Sequence, residues 1–206
     1  MYKVYFNNRF ITLSREPDRL QKYGLFHKFI DTAELFNLIS DFQINTTTQN
    51  INVYCENIKH LWKIFRIYFN EVQAAGGLVK HPSSKYLFIE KNGRLDLPKG
   101  HIEPKEDAES CALREVSEEC GLSGHYIIKS LAPSYHTYSC EGISYLKKTN
   151  WFLMGYNDEM ITTPQTEEGI TGVKWLLPEE FYDLKSFTWL SLMDMLNSSV
   201  LSLYKV

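Results

Sequence analysis

Several features are scarce in this chain of 206 residues. Its four cysteines form no CxxC pair, which argues against a structural zinc site. No apolar run approaches the length needed to span a membrane, and the first ten residues, MYKVYFNNRF, lack the apolar core of a signal peptide. We therefore expect a cytoplasmic protein with no membrane partner.

An excess of basic residues is also missing, since 22 Lys and Arg stand against 25 Asp and Glu and give a net charge of -3. A general nucleic-acid-binding protein needs a basic surface, so this balance argues against that class. A phosphorylated small molecule remains possible as a partner, because a few local lysines can bind it. Hydrophobic residues make up 44% of the chain, enough for one large domain or two small ones.

Residues 100–122 carry the clearest chemical signal. Glu115, Glu118 and Glu119 occupy positions i, i+3 and i+4, which share one face of an α-helix. Like charges packed in this way repel each other unless a cation lies over them, and carboxylate oxygens suit Mg²⁺ or Mn²⁺. A solvated acidic face is the simpler alternative, because most charged runs on helices face water.

The sequence also predicts where this helix begins and ends. Asp107 is the predicted N-cap, and Gly121 stands where a left-handed residue would end the helix. An apolar stripe of Ala112, Val116 and Cys120 runs beside the carboxylates. The pattern therefore predicts a helix that packs on one side and presents carboxylates on the other.

The same stretch resembles the Nudix box: Gly, five residues, Glu, seven residues, then Arg-Glu-apolar-x-Glu-Glu-x-Gly-apolar. The resemblance implies an α+β fold, with a mixed sheet in a Nudix α/β/α sandwich, and Mg²⁺-dependent hydrolysis of a nucleoside diphosphate linked to another group. It implies that Glu106 pairs with Arg114 to brace the loop against the helix. It also implies a set of metal ligands: the side chains of Glu115, Glu118 and Glu119 and the main-chain carbonyl of Lys99.

Finer resemblance points towards a substrate class. The run Leu97–Pro104 is similar to the LPKGH-x-EP run of dinucleoside polyphosphate and diphosphoinositol polyphosphate hydrolases. Glu168 is the candidate general base, because relatives often place a loop glutamate before the strand predicted at 173–177. An ordinary solvated loop residue is the alternative for Glu168. The candidate substrate-binding residues are Lys99, His101, Tyr138 and Lys147.

The chain is predicted to contain two domains. Residues 1–72 read as a small ββαβα subdomain, with a hairpin, a helix over 29–42, a strand and a second helix over 58–72. It carries no catalytic motif, so we expect a protein-interaction or dimerisation module that packs on the second domain or in a homodimer. Residues 73–206 form the predicted Nudix hydrolase domain, which ends in a helix over 187–203.

Two classes of function compete on this sequence. The first is a metal-dependent pyrophosphohydrolase that acts on dinucleoside polyphosphates or on another substrate, such as ADP-ribose, a nucleoside triphosphate or a diphosphoinositol polyphosphate. The second is a Nudix sensor that binds nucleotides without turnover. All the carboxylates of the box are present, and this favours the enzyme.

Overall fold

A computed structural model describes residues 1–19, 23–183 and 185–199, with the backbone alone for 182, 183 and 185. The chain divides into two compact units, which are described separately. The first contains Met1–Val72 and Tyr135–Lys147, and the second contains Gln73–Ser134 and Lys148–Val206. The sequence-based boundary at residue 73 assigns 135–147 to the second domain, whereas the structure groups these residues with the first unit.

The fold is α+β. In chain order its strands and α-helices are β1 (Tyr2–Phe6), β2 (Arg9–Ser14), β3 (Leu25–Lys28), α1 (Thr32–Ile44), β4 (Ile51–Tyr54), α2 (Ile58–Ile67), β5 (Asn70–Lys80), β6 (Tyr86–Lys91), β7 (Arg94–Asp96), β8 (Lys99–His101), α3 (Ala108–Cys120), β9 (Tyr126–Ser130), β10 (Ser134–Cys140), β11 (Ile143–Gly155), β12 (Ile170–Leu176), α4 (Pro178–Asp183) and α5 (Leu190–Ser199). Among the described residues, no helix is long and apolar enough to cross a membrane.

In the first unit the strands follow the order β10-β1-β2-β4-β3. β1 and β2 are antiparallel, and the other neighbouring pairs are parallel. Helices α1 and α2 pack on the sheet through one apolar core, because alternate strand residues point towards them. That core includes Val4, Ile11, Leu13, Ile51, Val53, Leu35, Ile39, Phe42, Leu61 and Phe65.

Two elements of the first unit differ from the sequence-based prediction. Strand β3 was not expected, because it is a short edge strand whose residues are mostly exposed and show no buried alternation. Helix α2 ends at Ile67 rather than at Val72, since β5 already begins at Asn70. Its predicted extension rested on apolar spacing alone. Phe69 is buried although it lies outside the helix.

The second unit is an α/β/α sandwich, as the sequence predicts. Its strands follow the order β12-β6-β5-β11, with β7 on β6, β8 on β5 and β9 on β11. β5 and β11 run in the same direction, since the N–H of Tyr156 donates to the carbonyl of Lys80 and the Asn150 side chain donates to the carbonyl of Ala74. The other pairs are antiparallel, so the sheet is mixed.

Helices cover both faces of this sheet. α3 packs on one face through Cys111, Ala112, Val116 and Cys120, and α4 and α5 contribute to the core on the other face. The predicted turn at Asn92-Gly93 joins β6 to β7, with both residues at positive φ (53° and 70°). The closing helix, α5, spans Leu190–Ser199, and the rest of the predicted helix, from residue 200, lies outside the described residues.

Candidate active site

Helix α3 holds the predicted carboxylates in place. The Asp107 side chain accepts a hydrogen bond from the N–H of Ser110 at 2.8 Å, and Gly121 ends the helix with φ of 69°. Both ends are as the sequence predicts. The buried stripe of Ala112, Val116 and Cys120 packs on the sheet and fixes the rotation of the helix.

The three carboxylates on α3 differ in burial. Glu119 is fully buried, Glu115 is 6% exposed, and the side chain of Glu118 is 48% exposed. Gly100 of β8 lies against the middle of the helix, and a Cβ at that position would overlap the Glu115 carboxylate. The glycine is therefore required because a main-chain segment approaches a carboxylate very closely.

Arg114 joins the loop before α3 to the carboxylates. Its Nε and Nη2 donate to the two carboxylate oxygens of Glu106 at 2.8 and 3.0 Å, a bidentate pair. Its Nη1 donates to both Glu115 and Glu118 at 2.8 Å, and Nη2 also donates to the carbonyl of His101. The hydrogen bonds from Arg114 lower the pKa of Glu106 to about 2.

The carboxylate of Glu119 has fewer hydrogen bonds than that of Glu106. Its Oε2 accepts a hydrogen bond from the main-chain N–H of Lys99 at 2.8 Å, but its buried Oε1 has no hydrogen-bond partner. The Nζ of Lys91 lies 3.7 Å from Oε1. Burial raises the pKa of Glu119 to about 7, although the charges of Lys99 and Lys91 and the hydrogen bond from Lys99 N–H oppose this change. Burial also raises the pKa of Glu115.

These features fit a bound divalent cation. An unpaired, buried carboxylate oxygen is unfavourable unless a positive charge reaches it, and several hard oxygen donors lie on the same face. Within the described ranges, however, no three Asp, Glu, His or Cys side chains are arranged as a metal site. Glu115 and Glu118 accept hydrogen bonds from Arg114 instead. Ligation by all three glutamates and by the Lys99 carbonyl therefore stays a prediction.

The other predicted site residues occupy different places. Glu168 lies beside the cluster, in the 3-10 helix Thr166–Glu168, and its Oε2 is 3.3 Å from Lys91 Nζ. The ammonium group of Lys99 is bound by Asp96 at 2.5 Å, and His101 is exposed. Lys147 and Tyr138 belong to the first unit, where Tyr138 stacks on Tyr145 with ring centroids 5.1 Å apart. Those two residues are thus not part of the carboxylate cluster of the second unit.

Comparison with known proteins identifies the family. The NUDIX domain family matches residues 71–194, which is more than half of the chain. The chain belongs to the Nudix family. A Mycobacterium tuberculosis protein named as a mutator, MutT4, is 37% identical over 70 residues. That match covers 33% of this chain and 28% of the relative, so the chain spans only about a quarter of the relative's length.

Two solved structures are similar to part of this chain. An Ap4A hydrolase from C. elegans, in a binary complex, has a TM-score of 0.48 and 20% identity, covering 61% of this chain and 93% of that one. The ORF135 protein of E. coli has a TM-score of 0.49 and 14% identity, covering 66% of this chain and 93% of that one.

Lys91 is the residue that the sequence analysis of this Nudix domain missed. The run Lys91-Asn92-Gly93-Arg94 was interpreted only as a turn. In the structure Lys91 is the last residue of β6, and its ammonium group lies between Glu119 and Glu168. These three residues are far apart in sequence, so their contact depends on the pairing of β6 with β12 and on the packing of α3 against the sheet. No local pattern could have indicated it.

Proposed function

We propose that this protein is a divalent-metal-dependent hydrolase that cleaves the pyrophosphate linkage of a nucleoside diphosphate joined to another group. The observation that carries the proposal is the carboxylate cluster on α3. Glu119 of this cluster is buried with one oxygen unpaired, and Gly100 makes room for the carboxylate of Glu115, one turn earlier on the helix. A purely structural helix gains nothing from such a buried, unpaired charge.

Each residue of the cluster has a proposed part. Glu115, Glu118 and Glu119 would hold Mg²⁺ or Mn²⁺, which neutralises phosphate charge and lowers the pKa of an attacking water when it is bound. Arg114 keeps Glu115 and Glu118 on the same side of the helix and ties them to the loop through Glu106. These contacts fix the positions of the oxygen donors before any ligand arrives.

Glu168 is the proposed general base. Its side chain is 48% exposed, so water can reach it, and the ammonium group of Lys91 holds it near the cluster. A proton-accepting carboxylate must lie outside the set of metal ligands and yet close to it, and the shared contact of Glu119 and Glu168 with Lys91 supports this role for Glu168. Replacing Glu168 with Gln should lower kcat and leave the metal affinity nearly unchanged.

For the substrate, we propose dinucleoside polyphosphates with four or more phosphates. The support is the run Leu97–Pro104, which is similar to that of hydrolases acting on long phosphate chains, and the cation Lys91 beside Glu119 and Glu168. Lys99 supports this less than its sequence position suggests, because Asp96 binds its ammonium group. ADP-ribose, nucleoside triphosphates and diphosphoinositol polyphosphates are the substrates to test against it.

A matched pair of variants on one helix tests the reaction. Glu119→Gln removes the buried charge, whereas Glu109→Gln changes an exposed glutamate in the first turn of the same helix. We expect Glu119→Gln to reduce metal-dependent kcat by about a thousandfold or more, since several kcal/mol of charge stabilisation are lost, and Glu109→Gln to match the wild type. Equal activity of the two variants would refute the proposed site. Nucleotide binding by the wild type without any turnover would favour the sensor.

Substrate preference needs a separate assay. The wild type should show a higher kcat/KM for a dinucleoside tetraphosphate than for ADP-ribose when both compete in Mg²⁺. Lys91→Ala should reduce that preference, and Lys129→Ala, at an exposed lysine of β9, should preserve it. A higher kcat/KM for ADP-ribose would refute the proposal of a long polyphosphate substrate, but it would not contradict the proposed hydrolysis of a pyrophosphate bond.

A further inference from the structure

The segment Phe187–Trp189, just before α5, lies along the edge of β7. Thr188 is buried, its hydroxyl donates to the carbonyl of Leu95 at 2.8 Å, and the two residues form a parallel bridge. Side chains on either side of a bridge residue point away from it, so Trp189 projects to the face opposite to Thr188, while Phe187 ends the 3-10 helix Lys185–Phe187. The anchoring of Thr188 therefore fixes the backbone next to Trp189.

Both rings are accessible to solvent. Phe187 is 56% exposed and Trp189 is 36% exposed. The guanidinium carbon of Arg94 lies 4.4 Å from the centroid of the Trp189 ring, a cation–π contact. The contact orients the indole and places a positive charge beside it.

This pair lies on the same face of the sheet as the carboxylate cluster. Leu95 points into the core beneath α4 and α5, so its neighbour Arg94 points to the opposite face, where α3 packs. Arg94 is the direct cross-strand partner of Lys91. The ammonium group of Lys91 is in turn 3.7 Å from Glu119 and 3.3 Å from Glu168. Trp189 contacts Arg94, and Arg94 is the cross-strand neighbour of the lysine that contacts the proposed catalytic glutamates.

We propose that Trp189 and Arg94 form the nucleobase-binding subsite of this protein. This proposal rests on the hydrolase function proposed above. An indole face stacks on any base, and a guanidinium group next to it can donate to a ring nitrogen or an oxygen of that base. The same face of the sheet then carries a base-binding end at Trp189 and a phosphate-cleaving end at Glu119. The competing explanation is that the indole merely covers Arg94 and the start of α5.

The test uses two probes that differ only by a nucleoside. α,β-Methylene-ADP contains adenosine and a diphosphate analogue whose bridge does not hydrolyse, and methylenediphosphonate is the same bridge without the nucleoside. Their Kd values are measured by calorimetry with Mg²⁺ on the full chain. Because no turnover is involved, this binding result is independent of the kinetic test of Glu119→Gln.

We expect Trp189→Leu to weaken α,β-methylene-ADP about tenfold or more, since a lost base–aromatic stack has an effect of that size. Trp189→Phe keeps a flat ring and should restore most of the affinity. Arg94→Gln should show an intermediate loss. Methylenediphosphonate should bind all these variants and the wild type alike.

Tyr126→Leu is the matched control, because Tyr126 is an exposed aromatic residue on β9 of the same unit. It should leave both Kd values unchanged. Equal losses for the two probes in Trp189→Leu would show that the residue only supports the fold near the cluster, and this would overturn the proposal. An unchanged Kd for α,β-methylene-ADP in Trp189→Leu would overturn it as well.

Discussion

Two groups of buried polar side chains, one in each unit, differ in how completely they are hydrogen-bonded. In the first unit the fully buried Asn52 donates to the carbonyl of Thr12 and to Ser14 Oγ, and its Oδ1 accepts from the N–H of Asp18. The hydroxyl of Tyr23 completes the group with bonds to Asp18 and Thr12. Such a satisfied network stabilises a fold and specifies its packing.

The carboxylate cluster of the second unit is incomplete by comparison. Among the described residues, the buried side-chain nitrogen and oxygen atoms without a partner all belong to that unit: Glu119 Oε1, His125 Nδ1, Thr149 Oγ1, Gln165 Oε1 and Trp175 Nε1. An unpaired buried group lowers stability, and an unpaired carboxylate does so most. The first network therefore serves the fold, and the unpaired oxygen of Glu119 supports the proposal that its cluster holds a cation.

The largest effect is expected from breaking the complete network. Asn52→Leu removes three hydrogen bonds at once and leaves buried donors and acceptors unpaired, so the free energy of unfolding should fall by about 4 kcal/mol. Tyr23→Phe should cost only about 1 kcal/mol, because a single hydroxyl is lost. Denaturant melts measure both values. If Asn52→Leu lowered the free energy of unfolding by less than Tyr23→Phe does, the network would not stabilise the fold as we expect.

The second prediction concerns Glu119, whose replacement should stabilise the metal-free protein by an amount that depends on pH. The pKa of Glu119 is raised from 4.5 to about 7, so the folded protein retains its proton where the unfolded chain has lost it. In metal-free buffer, the wild type should therefore lose stability as pH rises from about 4.5 to 7, and then level off. The loss is on the order of 3 kcal/mol.

The variant Glu119→Gln isolates this contribution. It removes the titrating carboxyl and keeps its shape, while Glu106 stays bound to Arg114 in both proteins. The two melting temperatures should nearly coincide at pH 4.5, and the variant should melt higher at pH 8. Saturating Mn²⁺ should raise the melting temperature of the wild type and reverse the order. A pH-independent difference between the two proteins would contradict the raised pKa.

The sequence alone predicted those features that depend on residues close together in the chain. Asp107, Gly121 and the spacing of the three glutamates act within one helix, and Asn92-Gly93 acts within one turn, so their structural roles follow from neighbouring residues. The position of Lys91 between Glu119 and Glu168 depends on tertiary strand pairing, which no local pattern encodes.

The same reason explains the remaining differences in the fold. Strand β3 is formed by pairing with β4 along an exposed edge, so its sequence carries no buried alternation. The hairpin residues 135–147 follow the Nudix box in sequence, but their strand β10 pairs with β1 of the first unit. Chain order therefore misassigned a segment whose partner is more than a hundred residues away.

The third effect compares two bidentate Arg–Glu pairs. Arg114 binds Glu106 and also Glu115 and Glu118, whereas Arg66 of the first unit binds Glu71 at the surface at 2.8 and 2.6 Å. Lys retains the charge but loses the planar fork, so Arg114→Lys should reduce kcat about 10- to 100-fold. Arg66→Lys should leave kcat unchanged. Similar activities for both variants would show that the fork of Arg114 does not position the carboxylates.

The smallest effect concerns Lys91, the cation nearest to the unpaired oxygen of Glu119. Its side chain is 31% exposed and lies 3.7 Å from that oxygen, so solvent screens the contact and limits its strength. A divalent cation and this ammonium group would repel each other at the same carboxylate. Lys91→Met should therefore tighten Mn²⁺ binding by about threefold in calorimetry, a change typical of a partly exposed charge.

The same substitution should lower kcat, because Glu168 loses the ammonium group that holds it beside the cluster. Lys174→Met is the matched control, since Lys174 pairs with Glu90 through a similar lysine–glutamate contact of 2.6 Å in the same unit. It should change neither Kd nor kcat. Weaker Mn²⁺ binding in Lys91→Met would mean that Lys91 organises the carboxylates rather than competing for them, and the incomplete cluster would then depend on Lys91 in the way that the first network depends on Asn52.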